Sequence, residues 1–426
     1  MKLQNNITAK GIAVWLVCAL FFIYECLLRT VLGTFQSSLM SELYLTTITF
    51  AFLSSTAYSL MFGPMQFAIG FIVDSFGIKK TMFVAVLICT VANIGFACSP
   101  TYTVAIIFRV VMGLGSSFGF ICLLVTVYDW MPRNHIAFFI GLSQFIGTLG
   151  PMIAAGPLNA LSNFLGVSWR EIFILIAFSG LIIAFLVIFI VDKNKQHESH
   201  AIILRIRSNA ANPIRKLLGE KQVWYIALFS ACVYFSLEYL SENECQIFLK
   251  QKGFSDYFSA YMITVAWLGY AFGCVVMGYF SDKFHRRKSV MLASALLVLI
   301  ALTGIIYLSL NEFLTAFCFI LLGVGASGQS IGFAIMAEQC KEASLAVGLG
   351  INNAMIVAFV AIFPPFIGSL LKYAGQKQSL IMTYQYAFLV MMALSILAVI
   401  LAGSLIRETY CKSVRENTPL TRPRYS

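Results

Sequence analysis

The chain has 426 residues, of which 60% are hydrophobic and only 11% charged. That balance excludes an ordinary water-soluble domain and describes a protein that lives in lipid. A formal net charge of +11 raises nucleic acid as a partner, but the placement of the basic residues argues against it.

A helix needs about 20 residues to cross an apolar layer of about 30 Å, with every backbone polar group paired inside the segment. Runs of that length lie at 12–32, 50–72, 80–98, 103–129, 137–161 and 171–191, then at 223–243, 260–280, 289–309, 313–336, 345–371 and 382–406. The pattern predicts twelve transmembrane helices in two sets of six. Predicted units are an N-terminal bundle over 1–192, a basic linker over 193–222, a C-terminal bundle over 223–408 and a tail over 409–426. With the N-terminus in the cytoplasm, inner loops and tails hold 22 of the 29 Lys and Arg, and outer loops hold five. This asymmetry predicts that both termini are cytoplasmic.

The first span starts at Gly11 and has no small-residue cleavage site behind it, so it reads as a retained helix. It contains Phe21-Phe22-Ile23-Tyr24-Glu25-Cys26-Leu27-Leu28-Arg29. Glu25 lies about 20 Å from the cytoplasmic end at ~1.5 Å per residue, and its i, i+4 spacing puts it on one face with Arg29. Burial and a nearby cation act on a carboxylate's proton affinity in opposite senses. Glu25 therefore either loads and releases a proton as its partner moves, or forms a static pair with Arg29 reaching outward.

Between spans 2 and 3 lies Gly70-Phe71-Ile72-Val73-Asp74-Ser75-Phe76-Gly77-Ile78-Lys79-Lys80. Span 4 carries Arg109-Val110-Val111-Met112-Gly113-Leu114-Gly115. An arginine inside a span must be paired or hydrated, so Arg109 either faces the cavity or bonds to backbone carbonyls of neighbouring helices. Span 5 holds Gly147, Gly150-Pro151 and Gly156-Pro157, which read either as bending and packing sites or as an export motif. The linker gathers Lys193, Lys195, Arg205, Arg207, Arg215, Lys216 and Lys221 around Pro213. It reads as a solvated basic segment or as short amphipathic helices on an anionic leaflet.

Span 7 repeats span 1: Phe22, Glu25 and Leu27 match Phe235, Glu238 and Leu240 at an offset of 213, which places Arg29 opposite Glu242. A second charged turn follows span 8, Gly278-Tyr279-Phe280-Ser281-Asp282-Lys283-Phe284-His285-Arg286-Arg287-Lys288, at an offset of 208 from the first. Further polar residues stranded in apolar spans are Gln66, Asn93, Gln144, Gln329, Asn352 and Asn353, with Tyr24, Tyr234, Trp267 and Tyr270 as aromatic neighbours. Each amide either contacts a ligand or hydrogen-bonds between helices, an interaction of about 0.6 kcal/mol in membranes.

The duplicated turn, in a duplicated set of six spans, resembles the major facilitator superfamily of secondary transporters. That resemblance implies an all-α membrane protein of two pseudo-symmetric six-helix bundles working by alternating access. It further implies a cytoplasmic gate motif built from Gly70, Asp74, Gly77, Lys79, Lys80, Asp282 and Arg286, in which a carboxylate caps a helix end and pairs with a cation. The run around Tyr24, Glu25 and Arg29 is similar to the phagosomal nutrient transporters of intracellular proteobacteria. This implies proton-coupled amino acid uptake across a bacterial inner membrane by a monomer that needs no cofactor.

Expected substrate or proton-coupling residues are Tyr24, Glu25, Arg29, Arg109, Gln144, Glu238, Gln329, Asn352 and Asn353. An outer gate is expected in which Arg29 moves between Glu25 and Glu242. Expected partners are a small solute, protons and the lipid bilayer, with no nucleic acid and no metal. Drug or metabolite efflux, and nucleoside or siderophore transport, remain alternatives, as does a receptor or scaffold that does not transport. An enzyme is disfavoured because His135, His197, His200 and His285 all fall in predicted loops or termini. No Gly-x4-Gly-Lys-Ser/Thr nucleotide loop is present.

Overall fold

The computed structural model describes residues 8–131, 136–191, 218–340, 345–375 and 379–411. Most of the predicted linker and most of the tail lie outside the described residues, as do the surroundings of Gly70 and of the Asp74 side chain. The spans are α1 (Ala9–Thr34), α2 (Thr47–Ala51, a π turn Phe52–Thr56, then Ala57–Phe76), α3 (Ile78–Ala97), α4 (Tyr102–Ser116, then Gly119–Trp130), α5 (Ile136–Gly147, Leu149–Ala154, Gly156–Leu165) and α6 (Trp169–Ile190). The second half supplies α7 (Lys221–Glu242), α8 (Asp256–Phe284), α9 (Arg287–Tyr307), α10 (Glu312–Ala326, then Gly328–Gln339), α11 (Leu345–Ala374) and α12 (Leu380–Ala387, Leu389–Ile400, Leu401–Leu405).

Helix ends follow local chemistry. Thr8, Thr101, Ser168, Ser255 and Asn311 accept from the first-turn N–H groups of their helices. Gly77, which joins α2 to α3, has φ 77°, a conformation natural to glycine. In α5 the glycines sit at close crossings. A Cβ on Gly150 would meet the Ile23 carbonyl of α1, and one on Gly156 would meet the Tyr261 ring of α8.

Each half has its own apolar core. Phe21, Phe96 and Phe173 belong to the first, and Phe229, Phe235, Phe319 and Phe388 to the second. Phe178, Phe185, Phe189, Phe272, Val275 and Tyr279 are exposed, as expected where lipid is the solvent.

Lengths of matching elements fix the repeat. The short helices Gln36–Glu42 and Cys245–Gln251, and the caps Thr46 and Ser255, match at an offset of 209. Arg29 is therefore the counterpart of Glu238 at an offset of 209, and the expected equivalence with Glu242 is corrected by one helical turn. The apolar pattern of a helix recurs every three to four residues, so a match slipped by a turn looks as good as the true one.

Contacts between the halves concentrate at one face. Among the described residues, every hydrogen bond and ion pair joining the halves lies away from the charged turns after α2 and α8. Thr47 and Thr56 donate to the carbonyls of Gly368 and Ala361 on α11, and the Gly156 N–H donates to Thr264 on α8. A Cβ on Gly33 of α1 would overlap the Ser241 carbonyl of α7. The bundle is thus sealed at the face opposite the basic turns.

Candidate functional site

At the centre, α1 and α7 share one ion pair across the two-fold repeat. Arg29 Nε lies 2.8 Å from Glu238 Oε1 and 3.9 Å from Glu242 Oε1, and Nη2 donates to Tyr234 Oη at 3.3 Å. The Arg29 side chain keeps 22% of its surface exposed while Glu238 keeps 1%. Tyr234, Trp267 and Tyr270 stand edge to face beside the pair, with ring centroids 5.3–6.2 Å apart. Behind them, Trp267 Nε1 donates to Ser241 Oγ at 2.8 Å and Tyr270 Oη to Gln329 Oε1 at 2.8 Å.

Glu25 faces elsewhere, which corrects the expected pairing with Arg29 in this state. Its Oε2 accepts the Phe120 N–H at 3.1 Å. Phe120 lies at the start of the second part of α4, where unpaired N–H groups favour an anion. A Cβ on Gly119 would overlap that carboxylate, so glycine makes the room. Glu25 is held inside the first half, which leaves Arg29 to the second.

Arg109 is fully buried and bonds to carbonyls. Nη1 donates to Leu28 O at 2.6 Å, and Nη2 donates to Arg29 O and Ser54 O, each at 2.7 Å. Its guanidinium lies 4.6 Å from the Tyr58 ring centroid. Of the two roles open for it, the geometry favours backbone bonding.

A polar interlock, of which sequence reasoning named only Glu242, seals the closed face. Ser55 Oγ donates to Glu242 Oε2 at 2.5 Å, and Ser54 Oγ to Asn243 Oδ1 at 2.5 Å. Gln36 holds Glu244 twice, accepting its N–H at 2.7 Å and donating to its Oε1 at 2.6 Å. Tyr384 Oη donates to the other carboxylate oxygen at 2.9 Å. Glu244 has φ 48° and is buried. Burial pushes its carboxyl above the usual range, against the bonds from Tyr384 and Gln36.

At the opposite face Asp282 pairs with Arg287, at 2.5 Å, and not with the expected Arg286. His285 closes α8 with φ 52° and Arg286 follows in an extended conformation as the cap of α9, so Arg286 points outward and Arg287 turns back. Arg287 also holds Glu338 of α10 at 2.8 Å. Glu408, after α12, accepts the N–H groups of Arg287 and Lys288, each at 2.9 Å. In the first half Lys79 Nζ donates to Ile188 O at 2.5 Å and Lys80 lies over the Phe76 ring. Arg287→Gln should leave Glu338 half-buried without its cation and lower the thermal midpoint by several degrees. Fluorescence-detected unfolding in detergent checks this, with Arg286→Gln as the near-silent control.

The remaining expected residues scatter. Tyr24 is buried in the first half against Gly180 of α6, so it does not line the space between halves. Gln144 is exposed on α5, Asn353 is half-buried on α11, and Asn352 beside it is fully buried, with no hydrogen-bond partner among the described residues for either amide atom. Asn93 Nδ2 donates to Phe173 O at 2.8 Å, joining α3 to α6.

Two six-helix halves, related by an internal repeat and sealed on one side of a central ion pair, define a carrier that exposes its centre to one face at a time. The Major Facilitator Superfamily model matches residues 16–261 and 245–420, and the chain belongs to that superfamily of membrane transporters. It is similar to the probable sulfoacetate transporter SauU of Cupriavidus necator, at 22% identity over 71% of this chain and 72% of that protein. The hexuronate transporter of Bacillus subtilis is 24% identical over 55% of this chain and 56% of its own length. Among solved structures, a D-xylose–proton symporter superposes with a TM-score of 0.76 at 15% identity, covering 95% of this chain and 99% of that one.

Proposed function

We propose that the chain takes up a small zwitterionic nutrient of the amino acid class together with protons, by alternating access. The observation that carries this is the Arg29–Glu238 pair, a half-buried cation and a buried carboxylate shared between the two halves. A ligand with a carboxylate and an ammonium satisfies both partners at once while separating them, and so it binds the separated arrangement better than the closed one. Differential binding of that kind is what a ligand needs to shift a conformational equilibrium. Two carboxylates, Glu238 and Glu242, facing the single cation of Arg29 suit a zwitterion better than an anion. A buried carboxylate that loses its cation takes a proton more readily, which gives coupling a physical basis.

In this reading the basic turns lie in the cytoplasm of a bacterium, the sealed face is the outer one, and the carrier works as a monomer in the inner membrane. Counterflow in proteoliposomes against amino acids, nucleosides, sugars and organic acids tests it, and exchange of organic acids alone would reject the zwitterion. The likeness to the sulfoacetate and hexuronate carriers favours that second reading, with Arg29 as the anion's anchor.

Glu25→Gln should abolish accumulation driven by a pH gradient and spare exchange. If the variant still concentrates solute, proton coupling resides elsewhere, with Glu238 and Glu242 next.

A further inference from the structure

The two halves differ by one residue at a telling place. α2 has 30 residues and α8 has 29. The caps before them match at an offset of 209, Thr46 with Ser255, while the caps after them, Gly77 with His285, match at 208. The extra residue is taken up in the π turn Phe52–Thr56, where the Ala57 N–H reaches back to Phe52 O, whereas α8 is α-helical throughout. A π turn is how a helix absorbs one inserted residue, and such turns are frequent at functional sites.

The insertion makes two things that the other half lacks. It leaves the Ser54 carbonyl to Arg109, which reaches it from α4 at 2.7 Å. It also aims two neighbouring hydroxyls, Ser54 and Ser55, at Asn243 and Glu242 across the interface. The caps of α4 and α10, Thr101 with Asn311 and Ser117 with Ser327, match at an offset of 210, which makes Phe319 the counterpart of Arg109. Phe319 is fully buried, as Arg109 is. The half whose second span carries a π turn thus has arginine where the half whose second span is α-helical throughout has phenylalanine.

We infer that Arg109 is a positioning residue for the seal: it pins the inserted π turn of α2 so that Ser54 and Ser55 capture the end of α7 when this face closes. Arg109 makes no hydrogen bond to Glu242 or Asn243; its charge also acts on Glu242 through space, an effect that Arg109→Lys retains while giving up the fork that holds the turn. The carbonyls of Leu28 and Arg29, held by the same guanidinium, tie α1 into the same frame. The inference concerns closure alone and does not depend on the identity of the transported solute.

The test reads the closed face directly. Nitroxide labels on Ser41→Cys and Lys372→Cys, both exposed on that face, are placed in a full-length chain whose Cys98, Cys274, Cys318 and Cys411 are Ser; the other cysteines are buried. Pulsed spin-resonance distances should show Arg109→Met raising the separated population at least tenfold. Ser55→Ala should raise it less, and adding Arg109→Met to a chain with Leu53 deleted, which restores an α-helical register, should raise it no further. Arg109→Lys, with one donor site in place of a fork, should fall between wild type and Arg109→Met. If Arg109→Met does not accumulate, the comparison is made with Arg109→Lys. An unchanged distance in the arginine variants, or independent multiplication of the Arg109 and Leu53-deletion effects, would overturn the inference.

Discussion

Arg29→Glu and Glu238→Arg should each reduce transport by more than tenfold, and the double exchange should recover a substantial part of it. Each single change leaves two like charges facing each other, with position 238 almost out of solvent. Removing one member of a buried pair typically costs about 3–5 kcal/mol because the other charge stays uncompensated. That penalty falls on the state in which the halves meet at the pair. The double exchange restores opposite charges and places an arginine at 238 one turn from Glu242, within i, i+4 reach. Exchanging Arg29 with Glu242 should give no such recovery, because Glu242 lies 3.9 Å from Arg29 and is engaged by Ser55. Initial-rate uptake by the five variants, normalised to purified protein, checks both statements, and recovery through Glu242 would replace Glu238 as the central partner.

Three glycine substitutions should separate failure to close from failure to fold. A methyl on Gly33 would overlap the Ser241 carbonyl in the other half, whereas methyls on Gly113 and Gly323 would overlap the carbonyls of Tyr58 and Ala266 within their own halves. Small residues allow helix backbones to approach closely in membranes, and overpacking a tight contact typically costs about 1–3 kcal/mol. For Gly113→Ala and Gly323→Ala the cost is present in every conformation, so yield and thermal midpoint should drop sharply. For Gly33→Ala it is present only when the ends of α1 and α7 at the sealed face meet. The protein should fold, remain open at that face and transport at least tenfold more slowly. Size-exclusion profiles and melting curves against uptake rates make the distinction, and a Gly33→Ala chain as unstable as the other two would refute it.

Much of the architecture was legible because its causes are local. Lipid demands about 20 apolar residues per span, and the repeated charged turns mark the boundaries between spans. The slipped equivalence of Arg29 arose because a helical pattern constrains register only to the nearest turn. The π turn left no trace, since one inserted residue changes neither composition nor hydropathy. Arg287 could not be told from Arg286 in a run of basic residues, because the choice depends on the φ of His285. Gln36 and Glu244 lie outside the predicted spans and Asn243 at the very end of one, so nothing in the sequence marks them as the buried residues they are. Glu25, Arg29, Glu238 and Glu242 stood out as charges within apolar spans, but which of them touch could not be read without the fold.

The Glu408 carboxylate that closes the start of α9 comes from 120 residues further along the chain. A chain made from its N-terminus inserts α9 long before that carboxylate emerges, so the first N–H groups of α9 wait uncapped while α10, α11 and α12 enter the membrane. The second half therefore has an order of completion written into it, with the segment after its last helix supplying the closing bonds of its third.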